Sequence, residues 1–123
     1  MGFVAGLIGF GAVGVLVRWM LGNWLGGMSF PWAILLVNCV GSFAIGALWA
    51  LPQSGEAARW VSMITVGGLG ALTTFSSFAL DTVRFAMNGS WGLAAANFVA
   101  NNTASLTLCY VGYRVGATLM TGR

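Results

Sequence analysis

The residues of this chain best placed to do chemistry are uncharged, and their spacing puts them on shared helix faces. Asn97, Asn101 and Ser105 follow one another at four-residue steps, with Cys109 next. Residues four apart stack on one side of an α-helix, so these form a polar stripe. Asn38 and Ser42 repeat the spacing, and Asn102, Thr103 and Thr107 add polar surface near the stripe. Phe75 and Phe78, three apart, share a face beside the hydroxyls of Thr73, Thr74, Ser76 and Ser77. The chain has no His, which excludes Ser/His/Asp and Cys/His nucleophilic sites and argues against an enzyme. Amides and hydroxyls can instead replace part of the water shell of a small ion. A phenyl ring adds a positive edge that can face an anion. Neutral donors suit a small, strongly hydrated anion, which a full positive charge would hold too tightly to release. Asn and hydroxyls also accept, so these residues alone leave the sign of the ion open.

The elements that carry these residues are membrane spans. The chain has 123 residues, of which 59% are hydrophobic and 6% charged, against about 25% charged in soluble domains. It reads as a single all-α transmembrane domain over residues 1–123. Four stretches, roughly 2–24, 32–51, 60–85 and 91–117, are uncharged or nearly so and meet the length of about 20 residues that a crossing needs. The breaks "GGMSFP", "LPQSGEAAR" and "AMNGSW" carry turn residues. Trp19, Trp24, Trp32, Trp49, Trp60 and Trp91 fall near span borders, as an interfacial aromatic belt requires. No basic residue precedes the first apolar run, so it reads as a span and not as a secretory leader. Cys39 and Cys109 lie in apolar stretches and suit packing.

Four spans put both termini and the loop near residue 55 on one side, with Arg59, Arg114 and Arg123; Arg18 and Arg84 lie on the other. Three against two is a weak orienting bias, so the chain could insert both ways and opposite copies could pair. Four short helices enclose little room, which points to an oligomer. The pairs Gly2/Gly6, Gly22/Gly26 and Gly112/Gly116 would allow close helix contact, either within a subunit or at a dimer seam. The scattered arginines do not form a nucleic-acid footprint.

Polar groups at depth cost free energy unless paired or wet. Glu56 and Asp81 map near span ends, so no acid stands at mid-membrane for proton coupling. In the third span, Gly67, Gly68 and Gly70 precede Thr73 and Thr74, which predicts a helix break near 68–74. Such a break frees backbone groups that protein, water or an ion must satisfy. "GFGAVG" at 9–14 matches a dinucleotide fingerprint only literally, since the acid required about 20 positions on is missing. "GGLGALTT" lacks the lysine of a phosphate loop.

"GGLGALTTFSSF", with "VNCVGSFAIG" in span two and "GAVGVLVRW" in span one, resembles the Fluc (CrcB) fluoride-channel family along the whole chain. That resemblance implies an antiparallel, dual-topology homodimer whose four-helix subunits have a broken third helix. It implies two pores that passively export fluoride across a bacterial inner membrane. It also implies a structural sodium ion held by backbone carbonyls, here at Gly70 and Thr73, and no organic cofactor. Asn38 matches the family's pore asparagine, and Phe75 and Phe78 its phenylalanine box. Asn97, Asn101 and Ser105 fall on its polar track, with Thr74, Ser76 and Ser77 as hydroxyls beside the box. Arg18 matches an arginine of the aqueous vestibule. Ala71 stands where the family often has a second glycine. The expected partners are a second copy, fluoride and lipid, with no nucleic acid. A small dual-topology multidrug transporter is the competing reading, but it would want a carboxylate deep in span one, which has none. A structural subunit, its asparagines merely packing helices, is the third.

Overall fold

The computed structural model describes residues 1–122; Arg123, counted above among the charges, lies outside the described residues. Every regular element among them is helical. Helix α1 spans Gly2–Leu25, α2 Trp32–Trp49 and α3 Gly55–Ser62. A π-helical segment, Met63–Leu69, and a single turn, α4 (Gly70–Leu72), continue α3. Helix α5 runs Phe75–Met87 and α6 Trp91–Thr121. Gly55 opens α3 at φ +67°, and Gly89 turns the chain into α6 at φ +75°, conformations that side chains with a Cβ resist.

Three stretches, Gly2–Leu25, Trp32–Trp49 and Gly55–Met87, are long and apolar enough to cross a membrane. Helix α6, at 31 residues, is the longest single helix, but its own asparagines and hydroxyls dilute its apolarity. Its claim to be a span therefore rests on length, at about 1.5 Å per residue. The exposed surface is apolar while Asn97 is among the largest fully buried side chains. That inside-out distribution suits a lipid surround. All six tryptophans are exposed, as belt residues should be.

Without water to drive apolar surfaces together, helices in lipid associate through close backbone packing. The α2–α6 seam achieves this with glycine. A Cβ added at Gly46 would strike the Cys109 carbonyl, one at Gly112 the Phe43 carbonyl, and one at Gly116 the Ala47 carbonyl. Gly112 and Gly116 thus pack within the chain, and Gly6 faces the Met63 sulfur. Gly2 and Gly22 meet nothing within 4 Å. Cys39 and Cys109 are free thiols.

The third span opens inside the anticipated window, but not at its glycines. Gly67, Gly68 and Gly70 all remain helical. A Cβ at Gly67 would lie 2.7 Å from the Leu7 carbonyl, and one at Gly14 would strike the Gly68 carbonyl. These glycines bring the span's backbone against α1. The helix gives way at Thr73 (φ −76°, ψ 156°) and Thr74 (φ −153°, ψ 110°), both extended. Before that point the span packs on α1; after it, α5 packs on α6. The break is where the span changes partner.

Two substitutions separate seam glycines from idle ones. Gly112→Ala should lower the unfolding free energy in detergent by about 1–3 kcal/mol, because the collision is with backbone and cannot be relieved by a rotamer. Gly22→Ala should stay within about 0.5 kcal/mol of the parent. Equal stability of the two would contradict the seam.

Candidate functional site

Two extended residues at mid-span leave backbone groups that a helix would have paired. Thr74 N–H, which would have continued the helix onto the Gly70 carbonyl, donates to Asn38 Oδ1 at 2.9 Å. Asn38 Nδ2 in turn donates to the Thr74 carbonyl at 3.3 Å. One side-chain amide on α2 thus holds both polar groups of Thr74. The Thr73 carbonyl accepts from Arg18 Nη1 at 3.3 Å, which places the guanidinium at the break. Thr73 closes the preceding turn, donating to the Leu69 carbonyl from its N–H at 2.9 Å and its hydroxyl at 2.8 Å. Thr74 then begins α5 as its N-cap, its Oγ accepting from Ser77 N–H at 3.2 Å. An N-cap oxygen satisfies a first-turn N–H that has no helical partner. Its hydroxyl also meets Ser77 Oγ at 3.0 Å and Ser76 Oγ at 3.3 Å.

From Asn38 the bonding continues along the polar stripe of α6. Asn38 Nδ2 donates to Asn101 Oδ1 at 3.0 Å. Asn101 Nδ2 donates to Asn97 Oδ1 at 2.9 Å and to the Asn97 carbonyl at 3.3 Å. Asn97 Nδ2 donates to Thr82 Oγ1 at 2.8 Å and to the Phe78 carbonyl at 3.3 Å. Thr82 donates to that same carbonyl at 2.8 Å. Each Nδ2 carries two hydrogens, and each of the three makes two bonds inside the protein. The stripe is therefore a hydrogen-bonded chain with its amide donors already engaged.

Beside it lies a cavity of about 390 Å³. Asn38, Thr73, Thr74, Phe75, Phe78, Asn101 and Ser105 line it, together with Gly70 and Ser42. Of the residues singled out in the sequence, Asn97 stands behind this wall, with 0% of its surface exposed. Arg18, Ser76 and Ser77 do not line the cavity either. Phe75 and Phe78 meet edge-on, with centroids 5.3 Å apart and rings at 63°. Phe78 is buried, whereas Phe75 is 76% exposed on the single chain, its ring open to lipid or a second copy.

Three contributors were not anticipated. Thr82 receives Asn97, Phe98 packs 6.3 Å from Phe78, and Gly41 makes room for the Thr73 methyl, which an added Cβ would strike. Thr82 lies four residues after Phe78, which was the available signal; Gly41 and Phe98 had none short of the helix crossing. Among the described residues no cluster of His, Cys, Asp or Glu could hold a metal, so a cation here would rely on backbone oxygen. Gly70 is exposed and its carbonyl is without its helical donor, which fits that use. The Thr73 carbonyl already receives Arg18, so a cation there would have to share it with a positive charge.

Comparison with known proteins follows the same line. A family model described as CrcB-like protein, Camphor Resistance (CrcB), matches residues 5–113. A fluoride-specific ion channel FluC of Magnetococcus marinus is 40% identical over 114 residues, covering 86% of this chain and 90% of the relative. The protein of that name from Photobacterium profundum is 38% identical over 120 residues, covering 94% and 92%. That from Agrobacterium fabrum is 38% identical over 114 residues, covering 89% and 91%.

Replacing Asn38 tests what holds the break. Asn38→Leu orphans both Thr74 groups and should destabilise the protein by about 1–3 kcal/mol for each. Asn38→Asp keeps the acceptor for Thr74 N–H and should cost less. Hydrogen exchange at the Thr74 amide should quicken in the leucine variant; unchanged exchange would mean that something else holds this backbone.

Proposed function

The chain belongs to the CrcB family, and on that premise we propose that it is a fluoride channel whose path runs through the cavity at the third-span break. It is not an enzyme. The observation that carries the path is the convergence of neutral hydrogen-bonding groups and the edge-on phenyl pair on one cavity, without a carboxylate in its wall. Fluoride sheds much of its water on entering and must find donors in exchange. Ser42 and Ser105 line this cavity, and neither hydroxyl is used by another bond among the described residues. Asn38 and Asn101 can donate to fluoride only by giving up a bond already made. Exchanging one acceptor for another keeps the amide donor paired, while the displaced oxygen has to find a donor elsewhere, from water in the cavity or from a serine hydroxyl. Phe75 and Phe78 offer ring edges along the way, while Thr74, Ser76 and Ser77 supply hydroxyls next to them. Asn97 supports the track from behind. Arg18 draws anions toward the vestibule while its guanidinium steadies the Thr73 carbonyl.

A passive exporter of this kind fits the bacterial inner membrane, where fluoride that enters as HF is trapped on dissociation. We read the working form as an antiparallel, dual-topology homodimer of four-span subunits with two pores. The nearly balanced arginines and the exposed Phe75 support that form. A sodium ion would be held by the Gly70 and Thr73 carbonyls, and its presence would brace the break. Hard cations take roughly six or more oxygens, so two carbonyls from one chain require a second copy or water to complete the shell. The multidrug-transporter reading is weaker, because no acid lines the cavity.

Purified protein in liposomes loaded with fluoride should release it, as followed by a fluoride electrode, and empty vesicles should not. Phe78→Ile should slow release by about tenfold or more, the equivalent of about 1.4 kcal/mol on the barrier, while the protein stays folded. A dimeric preparation that releases no fluoride would refute the channel; an unslowed Phe78→Ile would remove the phenyl ring from the mechanism.

A further inference from the structure

The hydrogen-bonded chain at the site is closed, and it has one direction. It starts at Thr74 N–H, a group that can only donate, and ends on the Phe78 carbonyl, a group that can only accept. Both belong to the first turns of the same stretch, Thr74 and α5. Between them the bonds pass through α2 once, at Asn38, and through α6 twice, at Asn101 and Asn97. The two ends dictate how every amide must face. Asn38 must turn its oxygen to Thr74, so its nitrogen faces Asn101. Asn101 must then present its oxygen, so its nitrogen faces Asn97, whose nitrogen is left for Thr82 and Phe78. Turning any one amide over would set N–H against N–H or O against O, and unpaired polar groups away from bulk water are costly.

The member farthest from the cavity is Asn97. It touches neither the cavity nor solvent, yet its Oδ1 is the side-chain acceptor that keeps Asn101 facing Asn38. We propose that Asn97, backed by Thr82, is a positioning residue that fixes the facing of the Asn101 and Asn38 amides and, through them, the open Thr74 backbone. A helix-packing role alone would need only a side chain of the same size. Positioning needs an acceptor toward Asn101 and a donor toward α5 in the same side chain.

That difference is testable with two near-isosteric variants and two measurements. The flux arm rests on the channel reading above; the exchange arm does not. Asn97→Leu keeps the volume and removes both functions. Asn97→Asp keeps the acceptor, and when its carboxyl is protonated it also regains a donor; burial favours that neutral form. Fluoride current across a planar bilayer suits the comparison, since neutral HF carries no current and acid adds no background. Current through Asn97→Leu should fall about tenfold at both about pH 5.5 and about pH 7.5, the equivalent of about 1.4 kcal/mol on the barrier. Current through Asn97→Asp should approach the parent at the lower pH and fall at the higher. Asp81 and Arg84 on α5 and Arg114 farther along α6 are common to all three proteins, and α2 carries no charge, so the parent reports any titration of theirs. Thr74 amide exchange should quicken in Asn97→Leu and slow again in acidified Asn97→Asp.

Parent-like current or exchange in Asn97→Leu would overturn the assignment. So would an Asn97→Asp protein whose current stays low at the lower pH, which also decides the matter if the leucine variant fails to fold; parent-like current at both values would mean a carboxyl already neutral at the higher pH, and supports the assignment. A parent protein without current would fail the channel reading alone, and Thr74 exchange would still judge Asn97.

Discussion

A backbone opened inside a membrane has to find partners for its polar groups within the protein, and here a single asparagine side chain supplies two of them. Asn38 accepts from Thr74 N–H and donates to its carbonyl, in the manner of a neighbouring peptide. Without that bridge, the extended Thr73–Thr74 step would expose unpaired groups where lipid offers none. The rest of the site follows from it. Because Asn38 commits its oxygen to Thr74, its nitrogen is directed at α6, and α6 must present an acceptor there. Asn101 does so, and Asn97 and Thr82 complete the arrangement. The break, the polar stripe and the cavity are consequences of one constraint.

That constraint could be met only where three helices approach closely, which is the task of the glycines. Gly46, Gly112 and Gly116 bring α2 and α6 to backbone contact, setting Asn38 and Asn101 within hydrogen-bonding reach. Gly14 and Gly67 do the same for α1 and the π-helical segment. Gly41 then leaves the space that the Thr73 methyl fills. Small residues supply proximity, and amides supply direction. The proposed fluoride path would use both, since an anion without its water needs closely placed donors and a wall that does not collapse around them.

The resulting economy of hydrogen bonds shapes how the site can act. A cavity lined by free amide donors would collapse on itself or bind an anion without release. Here the amides are engaged with one another, and Ser42 and Ser105 stand beside them with hydroxyls in reserve. On the proposed path an ion would exchange for an existing acceptor at each amide, and conduction requires that such steps be neither too weak to enter nor too tight to leave.

Much of this was legible in the residues. Low charge and four long apolar stretches implied a membrane domain, and the tryptophans marked its borders. The four-residue steps of Asn97, Asn101 and Ser105 placed a polar face on α6, and the Gly/Thr run announced a break. These are local properties, set by helical periodicity and by what lipid tolerates, so sequence alone determines them. The partner of each face was not local. Whether the glycines would loosen the third span or press it against α1, whether Gly112 and Gly116 would serve this chain or another, and whether the asparagine hydrogens would point to an ion or to each other depended on which helices cross and at what depth. Only the tertiary structure decided those points. The physical reason is that an amide's direction is set by the donor or acceptor opposite it, and for Asn38 and Asn97 the deciding group lies on another element of the fold.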